Sequence, residues 1–155
     1  MRVVAPANWH LAYQGRPWAG VPRPPESYTC GELARAVLRD MLGIDTPPIP
    51  VPDARVLRHC VAAMRPEAFG LEALPPGARP REFDVAFFAR ARDRDHCGVA
   101  CMTDEGLMIL HCIQRSGVLL DSLAVMRGCY GFRDVGWFRH RDADAALLGL
   151  GWLHA

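Results

Sequence analysis

Three residues have the type and surroundings for nucleophilic chemistry: Cys30, His96 and His111. Cys30 sits in Thr29-Cys30-Gly31-Glu32, at the start of a run with helical periodicity. A helix N-terminus presents free N–H groups and a partial positive charge, and both stabilise a thiolate. Such positions lower a cysteine pKa from about 8.5 into the range of roughly 3.5–7.5. The plain alternative is a core cysteine that begins an amphipathic helix. His96 lies in Asp95-His96-Cys97-Gly98-Val99-Ala100-Cys101. Strand alternation puts His96, Gly98 and Ala100 on one face and Cys97, Val99 and Cys101 on the other. Small neighbours leave room beside the imidazole, which suits a general base paired with a thiol. His111, in Leu107-Met108-Ile109-Leu110-His111-Cys112, belongs to the following strand and can come alongside His96 across the hairpin. A second polar group there would hold the first imidazole in one tautomer and orientation, the third role of a triad. The plain alternatives are a half-exposed and a buried histidine. Zinc competes for the same residues, because His96, Cys97, Cys101, His111 and Cys112 are soft ligands close in sequence. Alternation separates His96 from Cys97 and Cys101, and no CxxC pair is present, which weakens that alternative.

The elements that must position these groups are legible in outline. Cys30, Leu33, Ala34, Val37, Leu38, Met41 and Leu42 recur at i, i+3, i+4, i+7, i+8, i+11 and i+12, which predicts a helix with one apolar face. Thr29 and Glu32 fit the capping box, Gly43 is a stop signal, and Pro47-Pro48 forbid continuation. A second helix is expected over residues 53–64, and a short one near residues 8–14 in an otherwise irregular lead-in over 1–29. Residues 65–82, rich in proline and glycine, are expected as a loop. Strands are expected over 83–89, 96–102, 106–113, 117–123 and 130–139, with a hairpin turn at Thr103-Asp104-Glu105-Gly106. Residues 1–141 then form a single domain and 142–155 a C-terminal tail. Helices followed by a run of strands give an α+β fold with helices packed on an antiparallel sheet of about five strands.

Composition narrows the function. The chain has 155 residues, half of them hydrophobic and 23% charged, enough to bury a core. A net charge of +1 removes the usual electrostatic case for a nucleic-acid binder. All 18 basic residues are arginine and are scattered. No phosphate-binding loop with lysine exists. No apolar run approaches the roughly 18 residues that span a bilayer. The N-terminus lacks a signal-peptide pattern, so the chain is expected in the cytoplasm as synthesised, with a virion as the other destination. Six cysteines in a chain of this size are expected as free thiols. Neither a cofactor nor a metal is expected, and the oligomeric state is open.

Six motifs in order resemble the NlpC-type cell-wall peptidases, papain-like cysteine hydrolases, and most of all the branch associated with phage tails. Gly15-Arg16-Pro17-Trp18 resembles the family's Gly-x-Pro-Tyr turn, and Thr29-Cys30-Gly31-Glu32-Leu33 its Asp-Cys-x-Gly-Leu helix start. Trp18 precedes Cys30 by 12 residues, the family's tyrosine-to-cysteine spacing. Leu42-Gly43-Ile44-Asp45-Thr46-Pro47, Phe83-Asp84-Val85-Ala86-Phe87-Phe88, His96-Cys97-Gly98-Val99 and Ile109-Leu110-His111-Cys112 resemble segments that follow. The likeness runs over residues 9–139. It implies a papain-like fold and a Cys-His-His triad, with Cys30 as nucleophile, His96 as base and His111 as its orienting partner. It further implies an oxyanion and substrate pocket at Trp18, Gly31 and Glu32. The implied substrate is a peptidoglycan peptide cut at a γ-D-glutamyl-diaminopimelate bond, and phage-tail or prophage proteins are the implied partners. Thr29, Gly31, Glu32 and Trp18 depart from the family pattern. These departures frame the alternative of a catalytically degenerate structural module, such as a tail-tip component, on the same fold.

Overall fold

The Thr29–Glu32 capping signal places the first long helix, α1, at Cys30–Leu42 in a computed structural model that describes residues 1–155. Thr29 Oγ1 accepts the Glu32 N–H at 3.2 Å, and Gly43 ends the helix in the left-handed region at φ 67°. The buried face carries Leu33, Ala34, Val37, Leu38 and Leu42. The remaining elements in chain order are β1 (Arg2–Val3), α2 (Leu57–Ala63), β2 (Leu71–Ala73), β3 (Val85–Ala89), β4 (His96–Thr103), β5 (Gly106–Ile113) and β6 (Gly117–Ser122). These are followed by α3 (Leu123–Tyr130), β7 (Arg133–His140), α4 (Ala143–Gly149) and β8 (Leu153–His154).

Six strands form one antiparallel sheet in the order β2-β7-β3-β4-β5-β6, and β1 pairs with β8 in a second, two-stranded sheet. The fold is therefore mixed α/β with four helices, and α1 packs on β4 and β5. Both faces of the large sheet are covered. On the α1 face lie Val85, Phe87, Cys97, Val99, Cys101, Leu110, Cys112 and Val118, within a main core that includes Leu33, Val37 and Leu147. On the opposite face a smaller core gathers Ala86, Phe88, Ile109, Met126 and Phe132.

Several expected boundaries shift. The sheet has six strands because the 65–82 stretch contributes β2, a three-residue edge strand too short to leave a periodic signal. The helix expected over 53–64 shortens to Leu57–Ala63, because Asp53 accepts the Arg55 N–H and holds a turn there. A 3₁₀ turn at Trp9–Ala12 replaces the helix expected near 8–14. The strand expected over 130–139 starts later, because Ser122 caps α3 and Gly131 ends it at φ 71°. The expected 142–155 tail docks: α4 buries Leu147 and β8 pairs with β1.

Candidate functional site

The N-terminal lead-in sets up one wall. Gly15 N–H donates to Val118 O and Val118 N–H to Arg16 O, which ties the lead-in to β6. Tyr28 N–H donates to Pro17 O and Ala19 N–H to Tyr28 O, so Trp18 lies beside the residue two before Cys30. Trp18, Cys30 and Gly31 then line a groove of about 380 Å³, together with His96, Tyr130 and Arg90. That volume lies within the usual range for small-ligand sites, roughly 300–1,000 Å³.

Cys30 is half-buried at the head of α1. Its pKa is pulled well below that of an ordinary thiol. Hydrogen bonding with the Cys97 thiol is the largest cause; the charge and hydrogen bonding of His96 add to it and outweigh burial, which acts the other way. The Cys97 thiol is pushed correspondingly up. Burial also raises Cys60 to about 11 and Cys101 and Cys112 to about 12. Among these five cysteines, Cys30 alone is driven toward the thiolate.

The imidazoles come from the strands. Antiparallel register sets Val99 opposite Leu110, so Gly98 faces His111. A β-carbon on Gly98 would run into the Ile109 side chain and press on His111 Cβ, so glycine here leaves the histidines room. His96 Nε2 and His111 Nδ1 are 2.9 Å apart, with the rings edge to face. His111 Nε2 lies 2.8 Å from Asp121 Oδ2, and the Tyr130 hydroxyl donates to the same oxygen at 3.0 Å. Burial, then the neighbouring His96, hold the His111 pKa down to about 4, against the pull of Asp121. Phe132 lies flat on His96, with ring centroids 4.4 Å apart, and the Arg90 guanidinium sits 4.9 Å above the Phe132 ring.

The structure thus brings Cys30, His96, His111, Trp18 and Gly31 to one place. Glu32 is the exception. It lies two residues beyond Cys30 along the helix and faces away from the groove, and its carboxylate pairs with Arg35 at 3.3 Å. No negative charge from Glu32 therefore faces the thiol. Sequence reasoning missed Cys97, Asp121, Tyr130 and Phe132. Strand alternation assigned Cys97 to the core, where it does lie, but gave no sign that α1 starts against it. Asp121 shares a strand face with Leu119, the partner of His111, a clue available only once the β5–β6 register is known. No group of three or more histidine, cysteine, aspartate or glutamate side chains is arranged to hold a metal ion. No protein-family model and no curated protein matches the chain.

Proposed function

We propose that the protein is a cysteine hydrolase of papain-like, NlpC-type architecture that cleaves an amide bond in bacterial peptidoglycan peptides. One observation carries the reading: the Cys30 thiol, biased toward thiolate, shares the wall of a groove with an imidazole that is backed by a second imidazole. The residues fit the steps of acyl transfer. The Cys30 thiolate attacks the amide carbonyl and forms a tetrahedral intermediate. The N–H groups of Cys30 and Gly31 open α1 ahead of the Glu32 N–H that Thr29 caps, have no intrahelical acceptor, and suit the developing oxyanion. The indole N–H of Trp18, on the same groove, is a further donor. Protonated His96 gives its proton to the leaving amine as the C–N bond breaks. It then takes a proton from the water that hydrolyses the thioester, and Cys30 is regenerated. The γ-D-glutamyl-diaminopimelate bond is the substrate implied by the family likeness, and a phage-tail assembly is the implied setting.

Digestion of purified peptidoglycan by the wild type and by Cys30→Ala tests the assignment. Soluble peptides released by the wild type and not by the variant support it; equal release by both refutes it. Alkylation by iodoacetamide addresses the competing structural-module reading. If Cys30 reacts no faster than the other five cysteines, the thiolate is not activated and a non-catalytic module becomes the better account.

A further inference from the structure

We propose that Asp121, steadied by Tyr130, fixes His111 as its Nε2–H tautomer and so holds His96 Nε2 as a donor to His111, leaving only Nδ1 of His96 free. The inference rests on the reading of Cys30 and His96 as the reacting pair. Its physical basis is a chain of hydrogen-bond roles that can be filled in only one way.

The chain starts at Asp121 Oδ2, which meets two partners, His111 Nε2 at 2.8 Å and the Tyr130 hydroxyl at 3.0 Å. An ionised carboxylate only accepts, so both partners must donate. Tyr130 can do so throughout the working range, because burial and Asp121 push its pKa up to about 12. His111 is fully buried, and its pKa of about 4 leaves it neutral at pH 7, with a single N–H to place. Placed on Nε2, that proton meets the carboxylate. Placed on Nδ1, it would leave two lone pairs facing each other across 2.8 Å.

The remaining roles follow. His111 Nδ1 then carries a lone pair and lies 2.9 Å from His96 Nε2, which must donate to it. The Nε2 proton of His96 is thereby occupied in both charge states of the ring. Nδ1 is left as the position where a proton arrives and departs. Phe132 stacks on the ring and prevents it from tilting out of this arrangement. The other charged groups about His96 are Cys30 from α1, its neighbour Asp95, and Arg90 across Phe132; Arg90 pairs with Asp95 at 3.0 Å. None of these offers His111 Nε2 an alternative acceptor. Asp121 and Tyr130 are positioning residues in this account, since they act on Cys30 only through the two imidazoles.

The test reads the tautomer directly. In the wild type, ¹⁵N chemical shifts of the histidine side chains at pH 7 should show His111 protonated at Nε2. In Asp121→Asn the side-chain amide can donate where the carboxylate accepted, so His111 should move toward Nδ1–H. Iodoacetamide alkylation of Cys30 at pH 7 should then slow by about tenfold or more. Tyr130→Phe removes a donor to Asp121 and leaves the acceptor, so its His111 should stay Nε2–H. A wild-type His111 protonated at Nδ1 overturns the proposal, and that measurement needs no variant to fold. Unchanged alkylation in a folded Asp121→Asn protein overturns it as well. Neither readout uses peptidoglycan. Failure to digest that substrate, with the tautomer as stated, would sink the substrate assignment and leave the relay standing.

Discussion

Replacing His111 by glutamine isolates the consequence of burying an imidazole between a second imidazole and a carboxylate. The His111 pKa falls from an ordinary 6.5 to about 4 on folding, because burial penalises the charged ring more than Asp121 favours it. The unfolded chain therefore binds a proton that the folded chain refuses between these two values. Stability from this group is complete above pH 6.5 and drains away as pH falls toward 4. Between pH 7 and pH 5 the loss comes to about 2 kcal/mol, and below pH 4 it reaches roughly 3 kcal/mol. For a chain of this length, 2 kcal/mol corresponds to a melting-point drop of roughly 4–8 °C. Glutamine keeps polar atoms in the site but cannot titrate. The His111→Gln protein should start less stable at pH 7, by about 1–3 kcal/mol from disturbed hydrogen bonds. It should then lose about 2 kcal/mol less than the wild type on acidification to pH 5. Urea unfolding curves of both proteins at pH 7, 6 and 5 give the comparison, and acid-sensitive groups that do not touch His111 cancel in the difference. Parallel losses of stability would show that His111 accepts a proton readily in the folded state. It could not then serve as a neutral orienting partner at working pH.

Other perturbations test the groups around it. Cys97→Ala removes the strongest influence on the Cys30 thiolate, and alkylation of Cys30 at neutral pH should slow about tenfold, as expected for the loss of a hydrogen bond to a charged group. Cys112→Ala, on the same face of the sheet, is the control and should leave that rate near wild type. Gly98→Ala forces a β-carbon against Ile109 and His111, and urea unfolding should show a loss of about 1–3 kcal/mol. Leu147→Ala, at a fully buried position in α4, should cost about 2–5 kcal/mol, whereas a freely hanging tail would tolerate it without change in melting temperature.

Legibility followed the range of the interactions involved. Helix α1 was readable to the residue, since its cap, its apolar stripe and its glycine stop are all local. The β4–β5 hairpin was readable because Thr103 and Gly106 close it within four residues. Helix α3 was not, because its eight residues combine a valine and a glycine with few periodic positions, and its cap Ser122 reads equally well as the end of a strand. The site divided in the same way. Cys30, His96 and His111 announce themselves by residue type and local pattern. Asp121 and Phe132 do not, since an aspartate near a strand end and a phenylalanine after a glycine are ordinary. Their importance comes from the strand registers, which set Asp121 opposite Ile109 and place β7 after α3 against β3.

The sheet geometry also explains why two chemically different halves can meet. Cys30 belongs to the α1 face, packed against the main core with Cys97 and Cys112. His96, His111 and Asp121 belong to the opposite face, among Phe132, Tyr130 and Met126. A sheet would ordinarily keep such groups apart. They converge because His96 is the first residue of β4 and Cys30 the first of α1, so each stands at the rim of its layer. Cys97, the next residue along β4, points through to the thiol while His96 points back toward His111, so one dipeptide touches both halves. Strand alternation is thus what connects the nucleophile to the relay. It follows that the two halves rest on separate cores. Cys30→Ala should leave the His111 tautomer unaltered, because the groups that fix the His111 proton, Asp121 and Tyr130, lie on the face opposite α1. A tautomer that changed on loss of the thiol would mean that Cys30 itself orders the relay, and the direction of control argued from Asp121 inward would have to be reversed.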